Sequence, residues 1–341
     1  MQQTKSSEQL DLATLTDRVR PSLQKLEAHR QAMRKSTLVR SGVFIGILLV
    51  AGIIAAVAAG HPAPVFMALF AAVILVIIYI SKRQTKWADH AGSVLIPDIA
   101  GSHAEDIRYQ PTADRALVKP FDALELLGQW NRVTVKHLVH GAYRGRRFEW
   151  ALANLRHESS GSGKRNSSVT QIFYGLMFRV QTRTHFEPGL SIRPNFGWFS
   201  KTFGKRAIPT GNEAFDAVFL VSVDDDSQLD STQLNQMLTP EWQQALLNLH
   251  EDAGTLPYEQ TRLRAGMKYD SFYLALTMEE EGRKLGRIRT SKMRTFPDVG
   301  HLMAKESALE SKLERIIEDV DTFRRIIDRL PDGGPATDNR S

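Results

Sequence analysis

The sequence predicts an α+β domain, with an antiparallel sheet, flanking helices and a C-terminal amphipathic helix, attached to a hairpin of two transmembrane helices. Two observations predict this architecture. Residues 41–80 contain no Lys, Arg, Asp or Glu, and a stretch of that length holds two helices that each cross a bilayer. Later segments alternate between strand and helical periodicity. We expect a cytoplasmic helical tail at 1–40, the hairpin at 41–80, a cytoplasmic α+β domain at 85–330 and a disordered tail at 331–341.

The N-terminal tail has the period of an amphipathic helix. Its apolar residues recur at spacings that place them near one helical face, and they are Leu12, Leu15, Val19, Leu26 and Met33. Pro21 interrupts this pattern and suits a first helical position. We therefore expect a short helix, a break near Pro21, and a second helix that runs into the first span.

Two apolar segments form the predicted hairpin. Residues 42–60 and 63–80 are each close to the roughly 20 residues that a membrane-spanning helix needs. Pro62 and Pro64, together with Gly60, end one helix and begin the next. Because the connection is so short, the two helices must be antiparallel. The expected partner of these apolar helices is the lipid bilayer. The alternative is a buried core hairpin in a soluble protein.

The charges beside the hairpin predict its orientation. Positive residues flank both spans, and they are Arg30, Arg34, Lys35, Arg40, Lys82, Arg83 and Lys86. The connection between the spans carries no charge. Because positive flanks stay in the cytoplasm, we expect both termini to be cytoplasmic, in the inner (cytoplasmic) membrane of a bacterium.

Small residues recur along the first span and predict helix packing. Close approach of helix backbones in a membrane requires such residues, and they are Gly42, Gly46, Gly52, Ala56 and Gly60. One interpretation is that they pack the two helices of the hairpin together. The other is that they join two copies of the chain, and the sequence does not distinguish the two.

The α+β domain shows strand and helix patterns in sequence. Strands are expected at 131–140, 146–155, 171–182, 190–193 and 217–223, with a turn at 141–145 and two strands or a hairpin at 262–278. Helices are expected from Asp230 and from Pro240, where Thr239 and Glu241 complete a start signal.

A last helix is expected at 301–330. Its apolar residues repeat in steps of four and three, and they are Leu309, Leu313, Ile316, Val320, Phe323, Ile327 and Leu330. Three such heptads suffice for a coiled coil. The helix either packs across the sheet of its own domain or mediates self-association, and pairing with the N-terminal tail helix is a further alternative.

The composition and motifs of the chain limit the chemistry that it can perform. The composition includes 44 Lys and Arg against 38 Asp and Glu, with both signs mixed along the chain, whereas strong nucleic-acid binders are more one-sided. We therefore expect no nucleic-acid partner.

The absence of cysteine excludes disulfides and thiolate metal sites. Gly161 to Lys164 resembles the end of a phosphate loop, but Glu158 stands where that loop needs glycine. No catalytic residue and no cofactor is predicted.

Asp224 and Asp226 are the candidate metal ligands. With Asp225 they form an acidic group after a buried strand, and carboxylates are ligands for calcium or magnesium. The segment lacks the glycine and terminal glutamate of an EF-hand loop. The alternative is a solvated strand end, with Asp230 capping the following helix.

An aromatic and basic segment at 196–206 is a candidate membrane-interface or partner surface. Aromatic rings favour headgroup depth and cations favour anionic lipid, and the residues are Trp198, Phe199, Lys201, Phe203, Lys205 and Arg206. The alternative is that the rings fill a core. A second basic segment, at 283–294, is a solvated loop or a contact for anionic lipid, with nucleic acid as the third alternative.

The soluble part resembles a known family. The features are HLVHGAYRGRRFEWALANL, QIFYGLMFRVQ, the passage from Glu213 through VFLVSVDDD to Pro240, and the closing helix with Ile326 and Leu330. From about Tyr109 to Leu330 the chain resembles the bacterial domain-of-unknown-function family 3137 (DUF3137). The resemblance implies paired membrane spans ahead of the domain and brings no catalytic residues.

The sequence therefore predicts a membrane-anchored cytoplasmic binding or scaffold module without enzymatic activity. Its ligand and its protein partner are not indicated, and self-association through the first span or the last helix is open. The alternative is an enzyme that acts on a membrane-associated substrate, with a metal site at the Asp224–Asp226 edge.

Overall fold

The computed structural model describes residues 2–159, 168–195, 207–223, 229–255, 263–277, 279–280, 284–285, 288–289, 292–293, 299, 301–304, 309 and 312–331. The chain divides into two compact units. The helical unit contains Met1–Ser102 and Pro297–Val320, and the sheet unit contains His103–Phe296 and Asp321–Ser341. The boundary expected near residue 85 lies at Ser102, because the second apolar helix continues without a break to Ala100.

The described elements follow in chain order. The helices are α1 Gln2–Ala59, α2 Ala63–Ala100, α3 Lys119–Ala123, α4 Glu213–Val218, α5 Ser231–Met237, α6 Pro240–Thr255, α7 Leu313–Val320 and α8 Thr322–Arg329, and a short 3₁₀ helix Arg115–Val118 precedes α3. The strands are β1 Glu105–Ala113, β2 Arg132–Tyr143, β3 Arg146–Ser159, β4 Ser168–Pro194, β5 Phe219–Val223, β6 Leu263–Thr277, β7 Glu279–Glu280, β8 Lys284–Leu285, β9 Ile288–Arg289 and β10 Lys292–Met293.

Helix α1 passes through Pro21 without ending, so the predicted break there is wrong. A proline inside a helix removes one hydrogen bond and costs about 3 kcal/mol. The cost is offset because the helix buries an apolar face on both sides of Pro21, formed by Leu15, Val19, Leu23 and Leu26. That face packs along α2.

The core of the helical unit lies outside the two apolar segments and is formed by three helices, α1, α2 and α7. Helix α7 packs against both α1 and α2. The buried residues of α2 and α7 include Trp87, Ala91, Leu95, Ile96, Leu313, Ile316 and Val320. Burial of this core keeps the N-terminal part of α1 beside the C-terminal part of α2.

The sheet unit contains a six-stranded antiparallel sheet with helices, which confirms this part of the predicted fold. The strands run in the order β1-β2-β3-β4, and both β5 and β6 pair with β4. The 27-residue β4 pairs with β6 along most of its length, with β3 over its first part and with β5 near its end.

Several predicted strands differ from the observed ones in length. Strands β2 and β3 lie where strands were predicted, but β2 continues to Tyr143, so the predicted turn at 141–145 is too long. The observed turn has two residues, Arg144 and Gly145, with φ of 50° and 71°. Such left-handed pairs match the twist of a hairpin. Strand β4 joins two predicted strands into one. Strand β6 is a single strand, so the prediction of two strands or a hairpin at 262–278 is wrong.

The register of the sheet assigns residues to its two faces. Phe148, Val180 and Phe272 stand opposite one another on three strands. The Phe323 ring of α8 stacks on Phe148 at 4.5 Å between centroids, and the Trp242 ring of α6 lies 5.7 Å from Phe272. Helices α6 and α8 therefore cover this face.

The opposite face is covered by the segment around α3. Ala151, Met177 and Ala275 stand opposite one another and form one buried cluster with Phe121 and Leu124. At the edge of this register, Gly175 lies so close to the backbone of β6 that an added Cβ atom would overlap the carbonyl oxygen of Leu276.

The segment 301–330, predicted to form a single helix, contains two helices, so that prediction is wrong. Helix α7 ends at Val320, α8 begins at Thr322, and Asp321 lies between them. All the predicted seam residues that span this break are nevertheless buried. The apolar repeat continues across Asp321 because α7 buries its face in the helical unit and α8 buries its face in the sheet unit.

Candidate membrane-anchoring site

Two helices are long and apolar enough to cross a membrane. Their most apolar windows have mean hydropathies of 2.7 and 2.8, and only 6% of each window is buried. Among the residues that the structure describes, strongly exposed large apolar side chains lie between Leu38 and Ile78, apart from Val169 and Tyr269. The core helix of a soluble protein buries such residues, so these two helices lack a covering of protein.

The exposed apolar segments have the length of a bilayer core. On α1 the uncharged segment runs from Ser41 to Ala59, which at 1.5 Å per residue is about 29 Å. On α2 it runs from Ala63 to Ile80, about 27 Å. Both lengths are close to the ~30 Å of hydrocarbon in a typical bilayer. We refer to residues 41–80 as the apolar hairpin.

The small residues of the first span take different positions in the apolar hairpin. Gly52 is buried, and a Cβ atom on it would lie 2.7 Å from the Cβ of Ala68 on α2. Ala56 is half-buried. Gly60 supplies a left-handed turn residue at φ 69°. Gly42 and Gly46 have nothing within 4 Å of an added Cβ. Gly52 therefore marks the close approach of the two helices, and Gly42 and Gly46 do not take part in it.

One group of cations surrounds the open end of the apolar hairpin. We name it the basic collar, and its members are Arg34, Lys35, Arg40, Lys82, Arg83 and Lys86. No Asp or Glu occurs in the sequence between Glu27 and Asp89. Lys35, Arg40, Lys82 and Lys86 are exposed. The collar is thus an uncompensated positive zone at the point where two apolar helices become polar.

Within the basic collar, two arginines meet at one tyrosine. The Nε atom of Arg83 donates to the hydroxyl of Tyr79 over 3.1 Å, and the Arg83 guanidinium lies 5.5 Å from the centre of the Tyr79 ring. Arg40, from the other helix, interacts with the same hydroxyl. The Tyr79 ring also meets the edge of Phe44, with 6.1 Å between centroids. Tyr79 therefore connects α1, α2 and two positive charges.

Arg30 differs from the other positive flanking residues because it is 1% exposed. Its Nη2 and Nε atoms donate to the Glu27 carboxylate over 2.7 and 2.9 Å. Its Nη1 donates to the carbonyls of Leu302 and Ala304 over 3.3 and 2.7 Å. The amide of Leu302 donates to Oε1 of Gln84 over 2.6 Å. Arg30 and Gln84 thus hold the 301–304 turn against α1 and α2.

The metal-binding potential of the described residues is small. No group of three or more His, Asp or Glu side chains is placed to hold a metal ion within these ranges. His29 and His90 face each other across the helical unit with 4.5 Å between ring centroids. Burial and the neighbouring His29 lower the pKa of His90. Asp224 and Asp226 lie outside the described residues, so their metal site stays a prediction.

The helical unit contains a groove, and the sheet unit contains a small cavity. The groove, of about 650 Å³, lies between α1 and α7 and has Leu23, Leu309 and Leu313 as its floor. The cavity, of about 30 Å³, lies between α6, β6 and α8 and has room for one water molecule. Of these two, the groove has the size of a ligand site.

A buried histidine occupies an irregular position in the sheet unit. His137 has φ of 54° at a bulge in β2, and its Nδ1 atom shares a hydrogen bond of 2.7 Å with the hydroxyl of Tyr109. Burial, and then the nearby Lys136, lowers the pKa of His137 to about 4. The imidazole is therefore neutral at physiological pH.

The aromatic and basic segment lies outside the described residues, with Trp198, Phe199, Lys201, Phe203, Lys205 and Arg206 among them. Its flanks are described. The amide of Asn195 donates to the carbonyl of Val218 over 2.8 Å, and the amide of Ile208 donates to the carbonyl of Val221 over 2.9 Å. Both ends of 196–206 are thus attached to α4 and β5, and the interfacial role stays a prediction. Gly161 to Lys164, the side chains of 283–294 and residues 332–341 also lie outside the described residues.

Sequence reasoning missed two features of this site. It counted Arg30 as a flanking charge, although Glu27 three residues earlier is the signal for an intrahelical ion pair. It did not connect Tyr79 with Arg40, because no sequence pattern specifies which residues of the two helices face each other.

Comparison with known proteins does not assign a family to this chain. No protein-family model and no curated protein matches the chain, and the resemblance to family 3137 stays a prediction. A solved structure, the mycobacterial trehalose monomycolate transport factor A (TtfA), is similar over 69% of this chain and 94% of that chain, at 10% identity and a TM-score of 0.30. A TM-score this low does not establish a common fold.

Proposed function

We propose that the apolar hairpin anchors this protein in a membrane and that the sheet unit acts beside it as a binding or scaffold module. The observation that carries the proposal is the exposure of apolar side chains along both helices between Leu38 and Ile78. Burial of one Val, Leu, Ile, Phe or Met is worth about 1.5–3 kcal/mol. Contact of these two apolar segments with water is therefore strongly unfavourable, and hydrocarbon is the matching solvent.

The basic collar supports an orientation with both ends of the hairpin in the cytoplasm. All its charges lie at the polar ends of the two apolar segments, and the connection at Gly60 to Pro64 has none. Lys and Arg residues close to the ends of transmembrane helices are retained in the cytoplasm. We infer a bacterial inner-membrane protein with cytoplasmic termini and a short outer turn.

The surface of the sheet unit supports a cytoplasmic module that faces water. Within the described part of that unit, Val169 and Tyr269 are the strongly exposed large apolar residues. The unit therefore has an ordinary solvated surface there. A tether at the membrane raises its effective concentration toward membrane-bound partners, which favours a binding or scaffold role.

Cysteine labelling tests this topology directly, because the chain has no cysteine of its own. We expect His61→Cys, in the connection, to react with a membrane-impermeant maleimide in intact spheroplasts. Ser36→Cys, on the predicted cytoplasmic side, serves as the matched control and should react only after lysis. Labelling would be read as the modified fraction on a gel.

Two results would contradict the proposal. Equal labelling of both variants in a detergent-free soluble fraction would show that the hairpin does not enter a membrane. Labelling of Ser36→Cys but not of His61→Cys in intact spheroplasts would reverse the orientation.

A further inference from the structure

The Arg40–Tyr79–Arg83 group, which we name the arginine–tyrosine cluster, has an unusual charge balance. Two guanidinium groups from different helices interact with one neutral phenol oxygen. No carboxylate partner of Arg40 or Arg83 is found in the described part of the chain, and the sequence offers none between Glu27 and Asp89. Like charges this close repel each other, so the arrangement favours an anion that contacts both.

The chemistry of the cluster selects a phosphate group. A guanidinium has five N–H donors, and a single phenol oxygen accepts few of them. Arginine is preferred over lysine where a planar, bidentate donor must match phosphate oxygens. Arg83 is only half-exposed and its guanidinium lies 5.5 Å from the Tyr79 ring centre, which limits its freedom and presents its donors in a defined direction.

The depth of the cluster selects a lipid as the source of that phosphate. Tyr79 is the penultimate residue of the apolar segment of α2, and its ring contacts Phe44 within the apolar segment of α1. Tyrosine at this depth lies at the headgroup level of a bilayer. A phosphate held there has its acyl chains beside the exposed apolar residues of the hairpin.

We propose that the arginine–tyrosine cluster binds the phosphate of an anionic phospholipid from the cytoplasmic leaflet. This inference rests on the proposed membrane anchoring and specifies one lipid site on it. Arg40 and Arg83 donate to the phosphate oxygens, and the Tyr79 hydroxyl holds the two guanidinium groups in position between α1 and α2.

Lipid titration of the purified full-length protein tests the site. The protein in neutral detergent is titrated with phosphatidylglycerol, and native mass spectrometry counts the bound lipids. Arg40→Gln with Arg83→Gln should weaken phosphatidylglycerol binding about tenfold or more, the effect of losing about 1.4 kcal/mol. Lys82→Gln with Lys86→Gln removes the same charge from the basic collar outside the cluster and should weaken binding by less than about threefold.

A conservative variant separates the site from a general loss of structure. Tyr79→Phe keeps both charges and the ring, removes only the hydroxyl, and should weaken phosphatidylglycerol binding about threefold. The helical circular dichroism should stay that of the wild type. The double arginine variant could fail to fold, and Tyr79→Phe then provides the test. If Tyr79→Phe bound phosphatidylglycerol with the affinity of the wild type, the Tyr79 hydroxyl would not position the two guanidinium groups for the lipid.

Three outcomes would overturn the proposal. Equal weakening by the arginine pair and the lysine pair would mean diffuse charge attraction. Displacement of phosphatidylglycerol by millimolar inorganic phosphate would mean that free phosphate is the ligand. Equal affinity for phosphatidylcholine would mean that anionic charge is not recognised. Since maleimide labelling reports insertion independently, a correctly inserted hairpin with any of these outcomes would refute the lipid site alone.

Discussion

His137 shows how one side chain combines backbone strain, burial and a polar contact. It is 3% exposed, lies at a bulge with a left-handed φ, and shares a hydrogen bond with Tyr109. Bulges redirect side chains within a sheet, and here the redirected side chain enters the interior. The consequence is a histidine that the folded sheet unit keeps neutral well below its ordinary pKa.

We predict that the sheet unit loses stability as the pH falls from 7 toward 4. The pKa of His137 is about 4 in the folded state and about 6.5 when unfolded, so the unfolded chain takes up the proton first. Between pH 7 and pH 5 this linkage destabilises the fold by about 2 kcal/mol, which lowers the amide protection factors of β2 and β3 about twentyfold after each rate is divided by the intrinsic exchange rate at that pH. Hydrogen exchange of the full-length protein at both pH values measures it.

The variant His137→Asn should flatten this pH dependence, because asparagine tolerates a left-handed φ and does not titrate. Tyr109→Phe is the matched control: it removes the hydrogen bond but keeps the buried imidazole, so most of the pH dependence should remain. An undiminished slope in His137→Asn would assign the effect to other groups.

At the scale of elements, Arg30 explains how the chain returns to the helical unit. The amides of Met303 and Ala304 donate back to His301, which closes the 301–304 turn on itself but does not attach it to the helices. Three hydrogen bonds to Arg30 and Gln84 supply that attachment, and Leu302 is buried beneath them. The ion pair with Glu27 keeps the Arg30 charge compensated inside the core.

We predict that Arg30→Gln releases the 301–304 turn. Hydrogen bonds from a charged group contribute about 1.5–3 kcal/mol, and the variant loses several of them together with the positive charge beside Glu27. Amide exchange in a peptide covering 299–304 should accelerate by about tenfold or more, measured by mass spectrometry. Lys35→Gln, an exposed change on the same helix, is the control, and equal exchange in both variants would show that Arg30 does not hold the turn.

Much of the sheet was predictable because its residues alternate in the period of a strand. Strands β2 and β3 agree with the pattern around Val135 and Trp150. Strand β1 was not predicted, since its residues are exposed or half-buried and Pro111 interrupts it. The break between α7 and α8 at Asp321 could not be predicted, because Val320 and Phe323 continue the apolar repeat across it. A periodic pattern reports burial, not whether the backbone stays helical.

The anchoring site was predictable in its parts but not in its arrangement. The apolar segments and the basic collar follow from composition. The meeting of Arg40, Tyr79 and Arg83 does not, because it depends on the rotation of α1 against α2. That rotation is set in part by the approach of Gly52 to Ala68, which no single-helix pattern contains.

For the whole molecule, the decisive physical question is which solvent surrounds the apolar hairpin. We predict that Val50→Lys, at the middle of the first span, reduces the protein that remains with membranes after alkaline extraction. A lysine at that depth costs about 2.5–3.5 kcal/mol. Val39→Lys is the matched control, since Val39 and Val50 are 60% and 57% exposed but Val39 lies beside Arg40 at the end of the span.

The two variants distinguish lipid from water because they differ in depth and not in exposure. In lipid, Val39→Lys keeps its charge at the headgroups and should behave as the wild type. If the hairpin faced water, both lysines would be equally harmless, and identical extraction of the two variants would refute the anchor.

The division of the chain into units has a consequence for how the protein is made. The polypeptide passes between the units three times, after residues 102, 296 and 320. Both units therefore depend on the last fifth of the translated message, and α7 reaches its place only after the whole sheet has left the ribosome. A premature stop between β6 and α7 removes α7 from the helical unit and α8 from the sheet unit at once, so such a truncation does not leave either unit intact.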